Sequence, residues 1–322
     1  MNERLVEALV IRRSFRLHCV VFLSEEEVRE LLRMEELIPA MADALRDLSE
    51  GKVEQPLRVV LPVTEHQGFF AVMPAHGDAL GAKLVTFYPN NIGVPTHHAM
   101  IVLFRPETGE PLVTMDGRLI TEMRTAAVSA VATKHLARAD VSVLAILGSG
   151  VQARSHLEAL RIVRKFREVR VWSPRNAKEF AHRFDATEAA TAEEAVRGAD
   201  VIVVATSSTT PVLRGEWLSP GAHINAVGAT RPNWRELDDE TLRKARIYVE
   251  LREAAMKESG DIIAAGDVFA EIGEVVAGTK RGRVSEEEIT LFKAVGVAVE
   301  DIAAASLVYK RAVATEKSAT GS

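Results

Sequence analysis

The chain has 322 residues, 40 Lys and Arg against 45 Asp and Glu, 47% apolar residues and 5% aromatics. The apolar fraction is too high for a disordered chain, and a net charge of −5 has the wrong sign for a basic nucleic-acid binder. A single cysteine, Cys19, excludes an internal disulfide and a thiolate zinc site, and the length predicts about two domains. Residues 1–23 carry Arg4, Arg12, Arg13 and Arg16, but Glu3 and Glu7 interrupt what would be an acid-poor transit sequence. An N-terminal extension over 1–20 and a cytoplasmic location are expected. No apolar run approaches the roughly 18 residues of a membrane span.

Ser24 followed by Glu27 reads as a capping box that opens a helix. A second helix is predicted over 38–48, stopped by Gly51. Strand-like pieces follow at 58–63, 68–73, 81–87 and 99–104, then a hairpin turn around Thr108-Gly109 and a return strand over 111–115. This region predicts an α+β domain with a largely antiparallel sheet. An Ala-rich helix over 121–138 connects it to the rest.

From residue 139 the pattern changes. Strand-like runs at 141–147, 169–173, 201–206, 223–227 and 247–250 alternate with helical stretches at 152–165, 193–197 and 239–245. Such alternation means βαβ units and a parallel sheet covered on both faces. A last Ala/Val-rich helix, from 296 to about 314, is expected to return to the first domain.

The first of these strands runs straight into Gly148-Ser149-Gly150-Val151-Gln152-Ala153, a G-x-G-x-x-A dinucleotide fingerprint. Gly148 permits the tight turn, Gly150 lets the backbone approach a pyrophosphate, and Ala153 packs helix on strand. The helix N-terminus offers free N–H groups to phosphates. The next strand ends in Ser173-Pro174-Arg175-Asn176, without the Asp or Glu that holds the ribose 2′-hydroxyl of NAD. Ser173, Arg175 and Asn176 offer donors and a positive charge, which suit a 2′-phosphate, so NADP(H) is favoured over NAD(H). The fold class predicted is α/β. A Rossmann-type doubly wound parallel sheet occupies 139–302, and a discontinuous α+β substrate-binding and dimerisation domain takes 21–120 plus 303–322.

At this point the sequence resembles the ornithine cyclodeaminase/mu-crystallin family. The likeness is carried by Gln55-Pro56-Leu57-Arg58, by Lys83-Leu84-Val85-Thr86-Phe87-Tyr88 and by Thr121-Glu122-Met123-Arg124-Thr125-Ala126-Ala127. The fingerprint adds to it, as do the run from Gly221 to Asp239, Lys257-Glu258-Ser259-Gly260-Asp261, and Val299-Glu300-Asp301. The last three stretches are nearest the mu-crystallin branch, that of the ketimine reductases. The resemblance implies a homodimer with a nicotinamide cofactor on the Rossmann domain. It also implies that Arg58, Lys83 and Arg124 bind the substrate and that Thr125, Thr206, Val227 and Gly228 join the cofactor contacts. Cyclodeaminases place a catalytic Asp where this chain has Thr230, and a Thr cannot ionise to serve as a carboxylate base.

The chemistry those cations would serve is reduction of a C=N bond next to a carboxylate, since Arg clamps carboxylates bidentately. Lys83, Arg124 and Thr230 are the candidate catalytic residues. Phe87 and His97 are expected to line the substrate pocket, with Trp234 beside them. His97-His98 is not expected to hold a metal, because neighbours on a strand point to opposite faces. Glu258 and Asp261 are the nearest candidate acids. The activity expected is NADP(H)-dependent reduction of 1-piperideine-2-carboxylate or 1-pyrroline-2-carboxylate to the cyclic amino acid. An alanine-type dehydrogenase, an ornithine cyclodeaminase and a non-catalytic, thyroid-hormone-like ligand binder remain alternatives.

Overall fold

The computed structural model describes residues 21–320, so Cys19 and the expectations for residues 1–20 lie outside the described residues. The chain divides into two units. Among the described residues, one holds 21–44, 51–124 and 298–320; the other holds 45–50 and 125–297.

The first unit starts with β1 (Val21–Leu23), α1 (Glu25–Leu31) and α2 (Met34–Ser49). The Ser24 capping box forms as expected: Glu27 N–H donates to Ser24 Oγ, and Ser24 N–H donates to the Glu27 carboxylate at 2.7 Å. Helix α2 begins one turn before the predicted residue 38 and carries Pro39 inside it. Its buried stripe of Met34, Leu37, Met41, Leu45 and Leu48 follows helical spacing and carries the helix back past the proline.

Five strands follow: β2 (Val59–Val63), β3 (Gly68–His76), β4 (Leu80–Phe87), β5 (His97–Phe104) and β6 (Pro111–Asp116). The sheet order is β1-β6-β5-β4-β3-β2, antiparallel except for the β1–β6 pair. Alternation places Ala71, Met73, Lys83, Val85, Ile101 and Met115 on one face, buried. The C-terminal helix, Ala298–Thr320, lies against β3, β4 and β5. The predicted boundary at 302/303 therefore fell inside a helix; the division comes at 297/298, just after Gly296, whose φ is 78°.

A long helix, α3 (Arg118–Leu136), runs from the first unit into the second. The second unit then alternates strands and helices: β7 (Val143–Leu147), α4 (Val151–Val163), β8 (Glu168–Trp172), α5 (Ala177–Phe184), β9 (Thr187–Glu188), α6 (Ala192–Val196), β10 (Val201–Val204) and β11 (His223–Ala226). Next come α7 (Asp239–Lys244), β12 (Ala245–Val249), α8 (Arg252–Glu258), α9 (Gly260–Ala265), β13 (Ala270–Glu271), α10 (Ile272–Val276) and β14 (Ile289–Lys293). All eight strands are parallel, in the order β13-β12-β14-β11-β10-β7-β8-β9. The sequence pattern missed β14, which lies between β12 and β11. Acidic residues at 286–288 precede it and Lys293 ends it, so it reads as surface although Lys293 is fully buried. The chain winds outward from β7 in both directions, so the order reverses between β7 and β10, where ligands bind in such sheets.

Gly81 shows how tightly the C-terminal helix seats. A Cβ there would lie 2.5 Å from Val102 O and 2.9 Å from Ile302 Cδ1. Gly81→Ala is expected to cost about 1–3 kcal/mol through overpacking. Thermal denaturation measures it, and an unchanged midpoint would contradict the packing described.

Candidate functional site

In the first unit, Lys83 on β4 and Arg124 on α3 are buried cations, 2% and 5% exposed. Both converge on the C-terminal helix. Lys83 Nζ donates to Asp301 Oδ2 at 2.6 Å, Arg124 Nε donates to Asp301 Oδ1 at 3.1 Å, and Arg124 Nη1 donates to Glu300 Oε2 at 2.7 Å. Glu300 and Asp301 are fully buried in the first turn of that helix, where the macrodipole favours negative charge. Arg58, half-buried just ahead of β2, is close enough for its charge to act on Lys83.

Burial pushes the Lys83 ammonium down to about 8; Arg124 and Arg58 add to the shift and Asp301 opposes it. The Asp301 carboxyl is held below the usual range because Arg124 and Lys83 outweigh its desolvation. His97 opens β5 opposite Phe87 in register, on the Lys83 face. Burial, with the Lys83 and Arg124 charges, pushes it down to about 4, so it is a neutral imidazole at pH 7. Phe87 packs on Phe69 with ring centroids 5.7 Å apart. The structure thus brings together Arg58, Lys83, Phe87, His97 and Arg124.

Arg124 lies in the second turn of α3 rather than in the first turn of a helix opening at residue 121, because Asp116 Oδ1 accepts Arg118 N–H and begins the helix earlier. Its buried partners include Glu300 and Asp301. In the sequence, Glu300 and Asp301 stand out only through the family resemblance. The signal that could have found them is an adjacent acid pair opening an otherwise Ala/Val-rich helix.

In the second unit, Gly148 closes β7 at φ 122°, a backbone conformation that favours glycine, and a Cβ there would lie 2.3 Å from Ala205 O. Gly150 caps α4 with no side-chain hydrogen bond, and the space beside it is open. The first-turn N–H groups of α4 have no side-chain cap, and Val151 is 62% exposed beside them. Gln152 Oε1 is buried without a hydrogen-bond partner. Ser149 Oγ donates to Ser173 Oγ at 2.9 Å, which joins the loop to the end of β8. Arg175 and Asn176 are exposed after it, and Arg175 has no ion-pair partner among the described residues. A glycine cradle at the reversal point, an open helix N-terminus and an orphaned amide oxygen fit a dinucleotide.

Beyond β11, Val227 and Gly228 are half-buried, and Ala229 sits at φ 50°, a strained value for a residue with a Cβ. Thr230 is exposed, and Trp234 lies under the Arg231 guanidinium at 4.9 Å. Thr206 follows β10, and Thr125 is buried on α3. Asp261, named as a candidate acid, is instead a fully buried acceptor: its Oδ1 takes the backbone N–H of Glu236 and of Leu237, each at 3.1 Å. Sequence reasoning missed Glu236 and Lys293, both fully buried beside it.

A model of the ornithine cyclodeaminase/mu-crystallin family matches residues 19–316. Ketimine reductase mu-crystallin of Mus musculus is 52% identical over 302 residues, which span 89% of this chain and 96% of the mouse protein. The solved structure of Delta(1)-pyrroline-2-carboxylate reductase from Thermococcus litoralis, in complex with NADH and L-proline, superposes with a TM-score of 0.88 at 40% identity, covering 92% of this chain and 98% of that one. An archaeal alanine dehydrogenase dimer with bound NAD gives the same TM-score and identity, covering 92% and 97%.

The buried Asp301 yields a stability test. Asp301→Asn leaves Lys83 and Arg124 without their shared charge partner, a loss expected to cost about 3–5 kcal/mol. Its carboxyl is lowered in the fold, so its contribution is full above the ordinary carboxylate range and is lost as pH falls through the lowered value. Urea denaturation at pH 7 reads the loss, and wild-type stability in the variant would contradict the described pairing.

Proposed function

The chain belongs to the ornithine cyclodeaminase/mu-crystallin family, and on that premise we propose that it reduces cyclic ketimine carboxylates to cyclic amino acids. The substrates would be 1-piperideine-2-carboxylate or 1-pyrroline-2-carboxylate. The observation that carries this reading is the buried cluster of Lys83 and Arg124 on Asp301, with Arg58 beside it.

A ketimine carboxylate is a small anion with a reducible carbon next to its charge. Arg58, Lys83 and Arg124 hold that charge, each charge-assisted hydrogen bond contributing about 1.5–3 kcal/mol. Asp301 and Glu300 fix Lys83 and Arg124 in place before the substrate arrives, so little ordering entropy remains to be lost on binding. Phe87 and the neutral His97 form an uncharged wall that leaves the positive charge to the carboxylate. When bound, the nicotinamide cofactor supplies the hydride that the imine carbon accepts. The chain's contribution is orientation of that carbon, which is a large share of what such a reaction needs.

On the cofactor side, Gly148, Ser149, Gly150, Val151 and Gln152 would hold the pyrophosphate, and Thr125, Thr206, Val227, Gly228 and Thr230 the remaining contacts. Ser173, Arg175 and Asn176, with no acid at the end of β8, support NADPH over NADH. A homodimer belongs to the same reading. Strand β2 is a sheet edge, and Val59, Val60 and Leu61 on it are 57%, 47% and 56% exposed, a surface that a second copy would cover. A cytoplasmic location also belongs to it; among the described residues no helix is long and apolar enough to cross a membrane.

One rival has an observation behind it. The same cations suit the linear imine of a 2-oxo acid, the chemistry of an alanine-type dehydrogenase. Thr230 argues against ornithine cyclodeamination, and the open glycine loop argues against a purely ligand-binding protein.

NADPH oxidation with the two cyclic imines, with pyruvate plus ammonia, and with ornithine plus NAD separates these readings. Turnover of the cyclic imines is expected, and none with any imine would contradict the reductase reading. Arg175→Ala should raise the KM for NADPH more than that for NADH; equal effects would remove Arg175 from the 2′-phosphate site. Lys83 must be protonated to hold a carboxylate. The kcat/KM for imine should therefore fall as pH rises through about 8, and Lys83→Arg should lack that limb. A limb that persists in Lys83→Arg would assign it to another group.

A further inference from the structure

Glu236 takes no part in the roles above, yet it is fully buried at the C-terminal ends of three central strands of the parallel sheet. Its Oε1 accepts the Thr206 N–H at 2.8 Å and the Thr206 hydroxyl at 2.6 Å, just past β10. Its Oε2 has no hydrogen-bond partner. The carboxylate occupies the space that a side chain at Gly228 would need: a Cβ there would lie 2.4 Å from Oε2 and 2.5 Å from Oε1. Lys293, the last residue of β14, donates to the Gly228 carbonyl and lies 3.4 Å from Asp261 Oδ2. Asp261 in turn holds the Glu236 backbone N–H, and the Glu236 carbonyl accepts Val212 N–H and Leu213 N–H.

Packing alone does not account for this arrangement. An apolar side chain of similar volume would fill the space without desolvating a carboxyl group and stranding one of its oxygens. What the carboxyl adds is a pair of hydrogen bonds on Thr206 and a fitted surface under Gly228. Those are the two loops that close the sheet on the far side of the reversal point from Gly148.

We propose that Glu236 is a positioning residue for the cofactor: it grips the Thr206 loop and supports the Gly228 backbone, and so holds both loops in the arrangement that receives the nicotinamide half of the dinucleotide. The inference rests on the second unit being the dinucleotide site of the proposed reductase. Lys293 and Asp261 set the charge around Glu236, with Arg235 Nε 3.9 Å beyond, at Asp261 Oδ1. Burial raises the Glu236 carboxyl to about 7, Asp261 adds to the rise, and Lys293 and Thr206 oppose it. An ionised acceptor strengthens both Thr206 hydrogen bonds. The grip is therefore firmer above pH 7 than below it.

The test measures the Kd of NADH by fluorescence from pH 6 to 8.5, in the absence of imine. NADH is the probe because it lacks the 2′-phosphate, which titrates near this range. Four variants are compared with wild type: Glu236→Gln, Glu236→Ala, Gly228→Ala and the Glu236→Ala/Gly228→Ala double variant, each checked for its fold by circular dichroism. In wild type the Kd should fall as pH rises through about 7, and in Glu236→Gln it should stay flat. Glu236→Ala should raise the Kd about tenfold or more at pH 8, while the KM for imine at saturating cofactor stays near wild type. Gly228→Ala should weaken NADH binding in the wild-type background and add little in Glu236→Ala, where its Cβ meets no carboxylate. Folded Glu236→Gln or Glu236→Ala protein with wild-type affinity and pH dependence would overturn the proposal. Since binding is read without imine, failure of the protein to reduce ketimines would overturn the functional reading and leave this one standing.

Discussion

Asp301 lies wholly buried between Lys83 and Arg124. Two cations pressed into a sheet–helix interface would repel each other and lose their hydration unless a shared anion stood between them. By supplying that anion from the first turn of the C-terminal helix, the fold makes burial of Lys83 and Arg124 tolerable. The chain has to return to its N-terminal unit for this reason as much as for packing. The helix that closes the hydrophobic face of the sheet also carries the counter-charge of the proposed substrate site.

On the proposed reading, a single device serves stability and binding at once. Cations held in place by buried carboxylates would, on that reading, receive a small carboxylate without the cost of burying them unpaired. The depressed Lys83 value follows from the same balance, because burial and two neighbouring cations outweigh one carboxylate. The second unit also buries charge. There two buried carboxyls, Glu236 and Asp261, stand near the buried ammonium of Lys293 at the ends of the parallel strands, with Arg235 Nε 3.9 Å from Asp261.

Much of this was legible in the sequence wherever the signal was local. The fingerprint from Gly148 to Ala153 follows a continuous apolar strand and precedes a helix, so strand, turn and helix all appear within a dozen or so residues. The antiparallel pieces and the hairpin at Thr108-Gly109 were readable for the same reason. What remained hidden depended on partners far apart in the chain. Lys83 and Asp301 are separated by 218 positions, and Arg124 and Asp301 by 177, so no spacing rule could pair them. Strand β14 was masked by acids before it and a lysine at its end, because a buried lysine carries no mark in a sequence. Glu236 was quoted only as part of a stretch of resemblance, since a buried carboxyl reads like any surface acid until Thr206 and Gly228 close around it.

On the proposed reading, the Lys83–Arg124–Asp301 cluster recognises the substrate through its carboxylate. The most direct test compares kcat/KM, with saturating NADPH, for 1-piperideine-2-carboxylate and for 1-piperideine, the same ring without the carboxylate. Loss of two or three charge-assisted hydrogen bonds predicts a drop of about a thousandfold or more for the bare imine. Comparable kcat/KM for the two imines would contradict recognition through the carboxylate.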